Sequence, residues 1–405
     1  MSIKNAIIVS CIVGVGIISS SVIGGILLQK KVAKSTIVYK GEEATQIIEE
    51  SKSEEKLEQN SESIIDENIT SESDNKTVEV FNEEENNESE IKVENTEMNL
   101  AILGEMMMGG VVTNNLNYMY SIAFKDVYAD INSADFTYTN FSTNITNLEK
   151  IENAKSKYLV TKEVVSALRA LGVDCVSLAS DHIVDFPSDI LNNTINILEE
   201  NDVFVGGRQN MPVYFEKGDK KIAIVSTNAV IIGTSKNYTK NDISVYSKEN
   251  LEKNIKEARE SADIVIADIH WGREYEYGVT DGMRQIAKGA IDAGADMVIG
   301  SHAAGVYPIV EYNGKPIIYS TGYLIGDSDL YVAKEGFIFD ITISQDKKIS
   351  KLTMTPTYVN EKKEVLKYYN YSADKAQACL ELFNRWHNEN GLNSKIDEGK
   401  IVITF

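Results

Sequence analysis

IADIHWGREY (residues 266–275) is the stretch on which the fold of this chain turns: a β-branched, apolar run ends on His270, and a Trp-Gly turn follows at once. The same form recurs in SLASDHIVD (residues 177–185), which carries His182, and in VIGSHAAGV (residues 298–306), which carries His302. The chain has 4 histidines, so three of them stand in equivalent settings. Each closes a run that reads as a buried strand, and strand C-termini are where open α/β sheets gather their ligands.

Working outward, the texture from Asn99 onward alternates short β-branched runs with amphipathic windows. Strands are expected at residues 100–103, 136–141, 174–178, 203–205, 221–227, 263–269, 297–299, 316–320 and 337–344, with helices at 162–171, 189–200, 248–262 and 282–293. Gly172 and Gly294 stand where a helix C-cap glycine belongs, just before the next strand. The alternation predicts an α/β domain over residues 99–357. Residues 358–405 read as one amphipathic helix, about 372–390, and a strand-like end at 401–405. His387 on that helix, beside Arg385, Trp386 and Asn388, reads as a surface histidine.

Toward the N-terminus the chain changes character twice. Residues 6–28 carry no charge over a length that crosses a hydrocarbon core of about 30 Å as a helix. That run is too long for a signal-peptide core, so residues 1–34 are expected to be an uncleaved membrane anchor. Lys30, Lys31 and Lys34 outnumber Lys4, which by itself favours a cytoplasmic C-terminus. Residues 35–98 are then an acidic linker: residues 41–98 hold 20 Asp and Glu against 4 Lys, net −16 of the whole chain's −21. Such a stretch is expected to be extended and self-repelling, either a spacer that holds the domain off a membrane or a solvated tail. With net −21 and no basic stripe, nucleic acid is not a partner. The three cysteines, Cys11, Cys175 and Cys379, have no framework spacing, and GGVVTN (residues 109–114) lacks the pattern of a phosphate loop.

Glu105, Asn140, Asp181, His182, His270 and His302 all lie at strand ends and meet if those strands are neighbours. Carboxylates and neutral imidazoles are the donor set of divalent transition metals, and two such ions clamp a phosphoester for hydrolysis. Arg273 and Glu274 follow the Trp-Gly turn. Arg273 either holds a ligand carboxylate or phosphate through its planar fork, or pairs with Glu274 or Glu276.

Residues 99–340 resemble the capsule-synthesis proteins of the CapA type, associated with poly-γ-glutamate capsules and related to calcineurin-like metallophosphatases. HWGREY (residues 270–275), MRQIAKGAIDAGADMVIGSH (283–302) and VEYNGKPIIYSTG (310–322) carry the resemblance. It implies a metallophosphatase-like four-layer α-β-β-α sandwich in a membrane-anchored, outward-facing component of polymer synthesis or export. It also implies metal ligands at Glu105, Asp181, His182, His270 and His302, with His270 and His182 catalytic and Asn140, Arg273 and Glu274 at the substrate or around the ligands. The departures fall on the same positions: Glu105 stands for an Asp, Ser142 for a Glu, Asp181 for an Asn, Ala304 for a second His, and Tyr323 for an Asn. The remaining donors suit one ion, Mn, Zn or Fe, rather than two. Two functions stay open: a cell-membrane protein handling a capsule polymer or its export partners, with a degenerate site, and an active metal-dependent hydrolase cleaving a phosphoester or an amide of a surface polymer.

Overall fold

The computed structural model describes residues 36–38, 97–151, 158–230, 242–276 and 278–405. In chain order the strands are β1 (Thr36–Val38), β2 (Met98–Leu103), β3 (Glu105–Met106), β4 (Phe136–Asn140), β5 (Asn144–Thr146), β6 (Leu159–Thr161), β7 (Cys175–Ser177), β8 (Phe204–Gly206), β9 (Val213–Lys217), β10 (Lys220–Asn228), β11 (Ile264–His270), β12 (Met297–Ser301), β13 (Ile309–Tyr312), β14 (Lys315–Ile318), β15 (Tyr323–Ile325), β16 (Glu335–Ile343), β17 (Ile349–Val359), β18 (Val365–Lys367), β19 (Asn393–Asp397) and β20 (Lys400–Thr404). The longer helices are α1 (Val164–Ala170), α2 (Ser188–Glu199), α3 (Lys248–Arg259), α4 (Asp281–Ala293) and α5 (Ala373–Glu389).

The protein is a mixed α/β structure with two large sheets. One has seven strands in the order β1-β9-β10-β11-β12-β14-β13, and the other nine, in the order β19-β20-β17-β16-β2-β4-β7-β8 with β18 against β17. Each has a parallel centre: β10, β11, β12 and β14 in the first, and β2, β4, β7 and β8 in the second. Parallel strands joined by helices are covered on both faces, which is why β11 (IVIADIH) is buried at every position. Helix α3 lays Leu251, Ile255 and Ala258, and α4 lays Met283, Ala287, Ala290 and Ile291, on the apolar cluster that holds Val265, Ala267 and Val298. The other sheet has α1 and α2 in its own cluster, through Leu168, Leu191 and Leu198 beside Val176 and Val205.

The two sheets meet through β4. Phe136 packs on Phe215 of β9 with ring centroids 3.4 Å apart. The Tyr138 hydroxyl donates to Asp268 Oδ2 on β11 at 2.7 Å and shares a hydrogen bond with Ser226 Oγ on β10 at 2.8 Å. Burial pushes the Asp268 carboxyl above its ordinary range. A buried acid of this kind is tolerated because it is hydrogen-bonded.

Helix starts follow their caps. Ser247 Oγ accepts from the Asn250 amide at 3.1 Å, and Thr280 Oγ1 accepts from the Met283 amide at 3.2 Å. Gly294 closes α4 in the left-handed conformation, φ 119°. The nine-stranded sheet continues past residue 357, with β20 pairing β17.

His387 is not a surface residue: its side chain is buried with 0% exposure. On α5 it follows Ala376, Leu380 and Phe383 at helical spacing, so it falls on the apolar stripe. Neither ring nitrogen finds a hydrogen-bond partner among the described residues. Burial brings its pKa down to about 4.

The expected anchor at residues 6–28, and the acidic stretch up to residue 96, lie outside the described residues. Among the described residues no helix is long and apolar enough to cross a membrane.

Candidate metal centre

The C-terminal ends of the parallel strands from both sheets come together. Asp181 and His182 lie just after β7, His270 ends β11, His302 follows β12, Glu105 opens β3 directly after β2, and Asn140 ends β4. Asp181 is the hub. Its Oδ1 accepts from His270 Nε2 at 3.0 Å and lies 3.7 Å from His302 Nδ1, while its Oδ2 lies 3.4 Å from His182 Nε2. One donor atom from each of Asp181, His270 and His302 sits within 4.8 Å of the others.

Electrostatics follow from that crowding. For Asp181, burial works against the charged form, but the His270 hydrogen bond and the charges of His270, His302 and His182 outweigh it and hold the carboxyl well below its usual range. Burial likewise opposes a charged His270, yet the Asp181 hydrogen bond and the Glu105 charge leave its pKa above the ordinary imidazole value. His302 goes the other way. Burial and the neighbouring His270 bring it down to about 4, so its ring is neutral near pH 7.

His270 is oriented from behind. With Nε2 donating to Asp181, Nδ1 shares a hydrogen bond with the Ser301 hydroxyl, 2.9 Å away. His302 is fixed through its backbone, at φ 85°, a conformation costly for a side-chain-bearing residue and recurrent at functional sites. Its amide donates to Glu105 Oε2 at 3.0 Å. The other oxygen of Glu105 accepts from Ser142 Oγ. Both carboxylate oxygens are therefore engaged, and Glu105 supports the His302 loop; burial raises its pKa.

Asn140 is buried 3.1 Å from Ser142 Oγ through its amide oxygen, and its Nδ2 has no partner among the described residues. A hydroxyl has one proton, and the Ser142 proton goes to Glu105 when that acid is ionised. The amide is then satisfied by turning over, Nδ2 donating to Ser142 Oγ and Oδ1 facing the vacated side. An amide oxygen left free in this way is among the oxygen donors that divalent cations take.

His182 stands apart from the triad. Its Nδ1 is 2.8 Å from Asp185 Oδ2, and its ring stacks on Tyr158 with centroids 3.4 Å apart at 10°. Tyr323 donates to Glu274 Oε1 at 2.8 Å. Arg273 pairs with Glu276 at 3.1 Å on a side chain 74% exposed. Ala304, where the resemblance places a second histidine, is packed with Met107, Tyr158, Tyr323 and Ala333 in an apolar cluster. Among these neighbours the groups able to meet an ion are two tyrosine hydroxyls and the Met107 thioether.

Sequence reasoning missed Ser301, Asp185 and Tyr158. Asp185 had a local signal, three residues after His182, while Tyr158 had none in its own stretch.

A family model described as bacterial capsule synthesis protein PGA_cap matches residues 99–328. The PGA biosynthesis protein CapA of Bacillus subtilis (strain 168) is 29% identical over 245 residues, 57% of this chain and 63% of that protein. The capsule biosynthesis protein CapA of Bacillus anthracis is 25% identical over 286 residues, 66% of this chain and 69% of that protein. The match therefore spans less than two thirds of the Bacillus subtilis relative. Among solved structures, the 5'-nucleotidase precursor of Thermus thermophilus superposes with TM-score 0.39 and 10% identity over 71% of this chain and 60% of that one, too low to carry any inference.

Proposed function

The chain belongs to the bacterial capsule synthesis protein family, and from that premise we propose that it serves the synthesis or export of a capsule polymer of the poly-γ-glutamate kind, through a domain held at the cell membrane by residues 6–28 and lying outside the cytoplasm. Its α/β domain takes the metallophosphatase-like four-layer arrangement, and its centre takes one divalent ion, Mn, Zn or Fe. The observation that carries this reading is the convergence of Asp181, His270 and His302 from both sheets, the one such group of His, Cys, Asp and Glu donors among the described residues, with Ala304 in an apolar cluster where the resemblance places a second histidine.

Asp181, His270 and His302 would hold the ion, with the Asn140 amide oxygen available to it. When bound, such an ion polarises a phosphoryl or carbonyl oxygen. The chain's own contributions are positional. Ser301 orients His270, Glu105 fixes the His302 backbone, and Met107, Tyr158 and Tyr323 pack around Ala304. His182 is held beside the centre, with Asp185 on one ring nitrogen and Asp181 near the other.

Deleting the gene from its host should stop polymer accumulation, and the wild-type chain should restore it; an unchanged capsule in the deletion strain would sink the reading. The second reading, a metal-dependent hydrolase acting on a phosphoester or amide of a surface polymer, is favoured by a three-donor set, which leaves coordination positions open to a substrate. It requires that His270→Ala abolish hydrolysis across a phosphoester and amide panel while the fold persists.

A further inference from the structure

We propose that the domain stands on the membrane through the turns at the N-terminal ends of its central strands, with the metal centre at the opposite end, turned away from the bilayer, so that the acidic stretch does not set its distance from the membrane. This rests on reading residues 6–28 as a membrane anchor.

The register of the edge strands carries it. β1 runs antiparallel to β9, with Thr36 opposite Glu216 and Val38 opposite Tyr214. The chain therefore arrives from the anchor beside the β9–β10 turn, where Glu216 is opposite Lys221. From that turn β10 runs nine residues to Asn228, which is opposite His270. At about 3.3 Å per residue, arrival and centre lie roughly 25–30 Å apart along the sheet.

The chain also re-enters at that end after the acidic stretch. The Glu97 carbonyl accepts from Lys217 Nζ at 3.4 Å, and β2 then leads from Met98 to Leu103 and on to Glu105 at the centre. Both ends of the acidic stretch thus belong to one body, next to β9. Its length adds nothing to the reach of the domain. Only the seven residues between Leu28 and Thr36 do, and the eight Cα-to-Cα steps from Leu28 to Thr36 span at most about 28 Å.

The charged side chains of these turns are paired with one another. Lys217 pairs with Asp135, Lys221 with Glu216, Lys347 with Asp219 and Asp263, and Lys348 with Asp346. With Lys220 also on Asp219, each of these acids is paired with a lysine and the turns themselves are close to neutral, while the acidic stretch, net −16, leaves and returns at this same end.

The test uses the full chain in vesicles carrying an acceptor dye on the headgroups. A donor dye goes on Lys348→Cys, a side chain 77% exposed in the β16–β17 turn, or on Asp281→Cys, 92% exposed at the start of α4 beside the centre. Cys11 and Cys379 are replaced by Ser, and Cys175 is buried. Energy transfer should be several-fold greater from position 348 than from 281; equal or reversed transfer overturns the orientation. A chain that does not sediment with the vesicles overturns both the anchor reading and this one, whereas sedimentation with equal transfer overturns this one alone. As a second measurement, Thr36→Cys with Glu216→Cys, oxidised, should keep the domain on the vesicles after cleavage at a protease site placed in the acidic stretch, until a reductant is added. Release before reduction overturns the strand pairing.

Discussion

Asp181 Oδ1 and His270 Nε2 lie 3.0 Å apart, and they come from different sheets, one following β7 and the other ending β11. Their hydrogen bond closes the cleft at the strand ends and occupies the atoms an ion would take.

The pair should make metal binding and bare stability depend on pH in opposite ways. An ion displaces the His270 proton, and the His270 pKa is raised above the ordinary imidazole value, so affinity should climb as pH rises toward that folded value, by at most tenfold per unit for one proton. Without metal, the depressed Asp181 contributes stability above the ordinary carboxylate pKa and loses it as pH falls through its folded value. The raised His270 contributes below the ordinary imidazole pKa and loses it as pH rises through its folded value. Asp181→Asn should therefore destabilise the metal-free protein most near pH 5, by about 1.5–3 kcal/mol, and less in alkali. Denaturant melts across pH check this, and a uniform effect would contradict it.

Ala304→His should not create a second ion site. The residue is 1% exposed among Met107, Tyr158 and Tyr323, so the larger ring overpacks the cluster at a cost of about 1–3 kcal/mol. Metal stoichiometry of the variant decides it; a doubled metal content would show that the cluster yields.

Gly300→Ala should disturb the His302 turn. A Cβ there would collide with the Tyr319 carbonyl and the Trp271 indole nitrogen, which are hydrogen-bonded to each other at 2.9 Å. A loss of about 1–3 kcal/mol, with weaker metal retention, is expected. A variant as stable as the wild type would mean that the turn is looser than its packing indicates.

His387→Leu should make the protein less sensitive to acid. A buried neutral histidine whose pKa falls to about 4 removes stability as pH drops from its unfolded value toward 4, on the order of 3 kcal/mol in all. Melting temperatures at several pH values should fall less steeply in the variant; parallel slopes would contradict the assignment.

The strand ends were legible because parallel strands are apolar throughout, and each histidine follows such a run directly. Four helices, 164–170, 188–199, 248–259 and 281–293, fall inside or within one residue of the windows read from periodicity. His387 was readable in principle, since it shares one helical face with Ala376, Leu380 and Phe383. Its charged neighbours in sequence, such as Arg385, point elsewhere on the helix. Strands β9 and β17 went unread because their polar residues interrupt the apolar pattern, as in VYFEK and ISKLTMTPTYV. The partnership of Glu105 with Ser142 and with the His302 amide links residues 37 and 197 positions apart, and no local pattern announces it.

The most direct test of a single-ion centre is elemental analysis of the chain from Asn99 onward, purified without chelator beside His270→Ala, with circular dichroism confirming that both are folded. About one equivalent of a transition metal in the wild type, lost in the variant, is the expected result. Two equivalents, or none in a folded wild type, would contradict it.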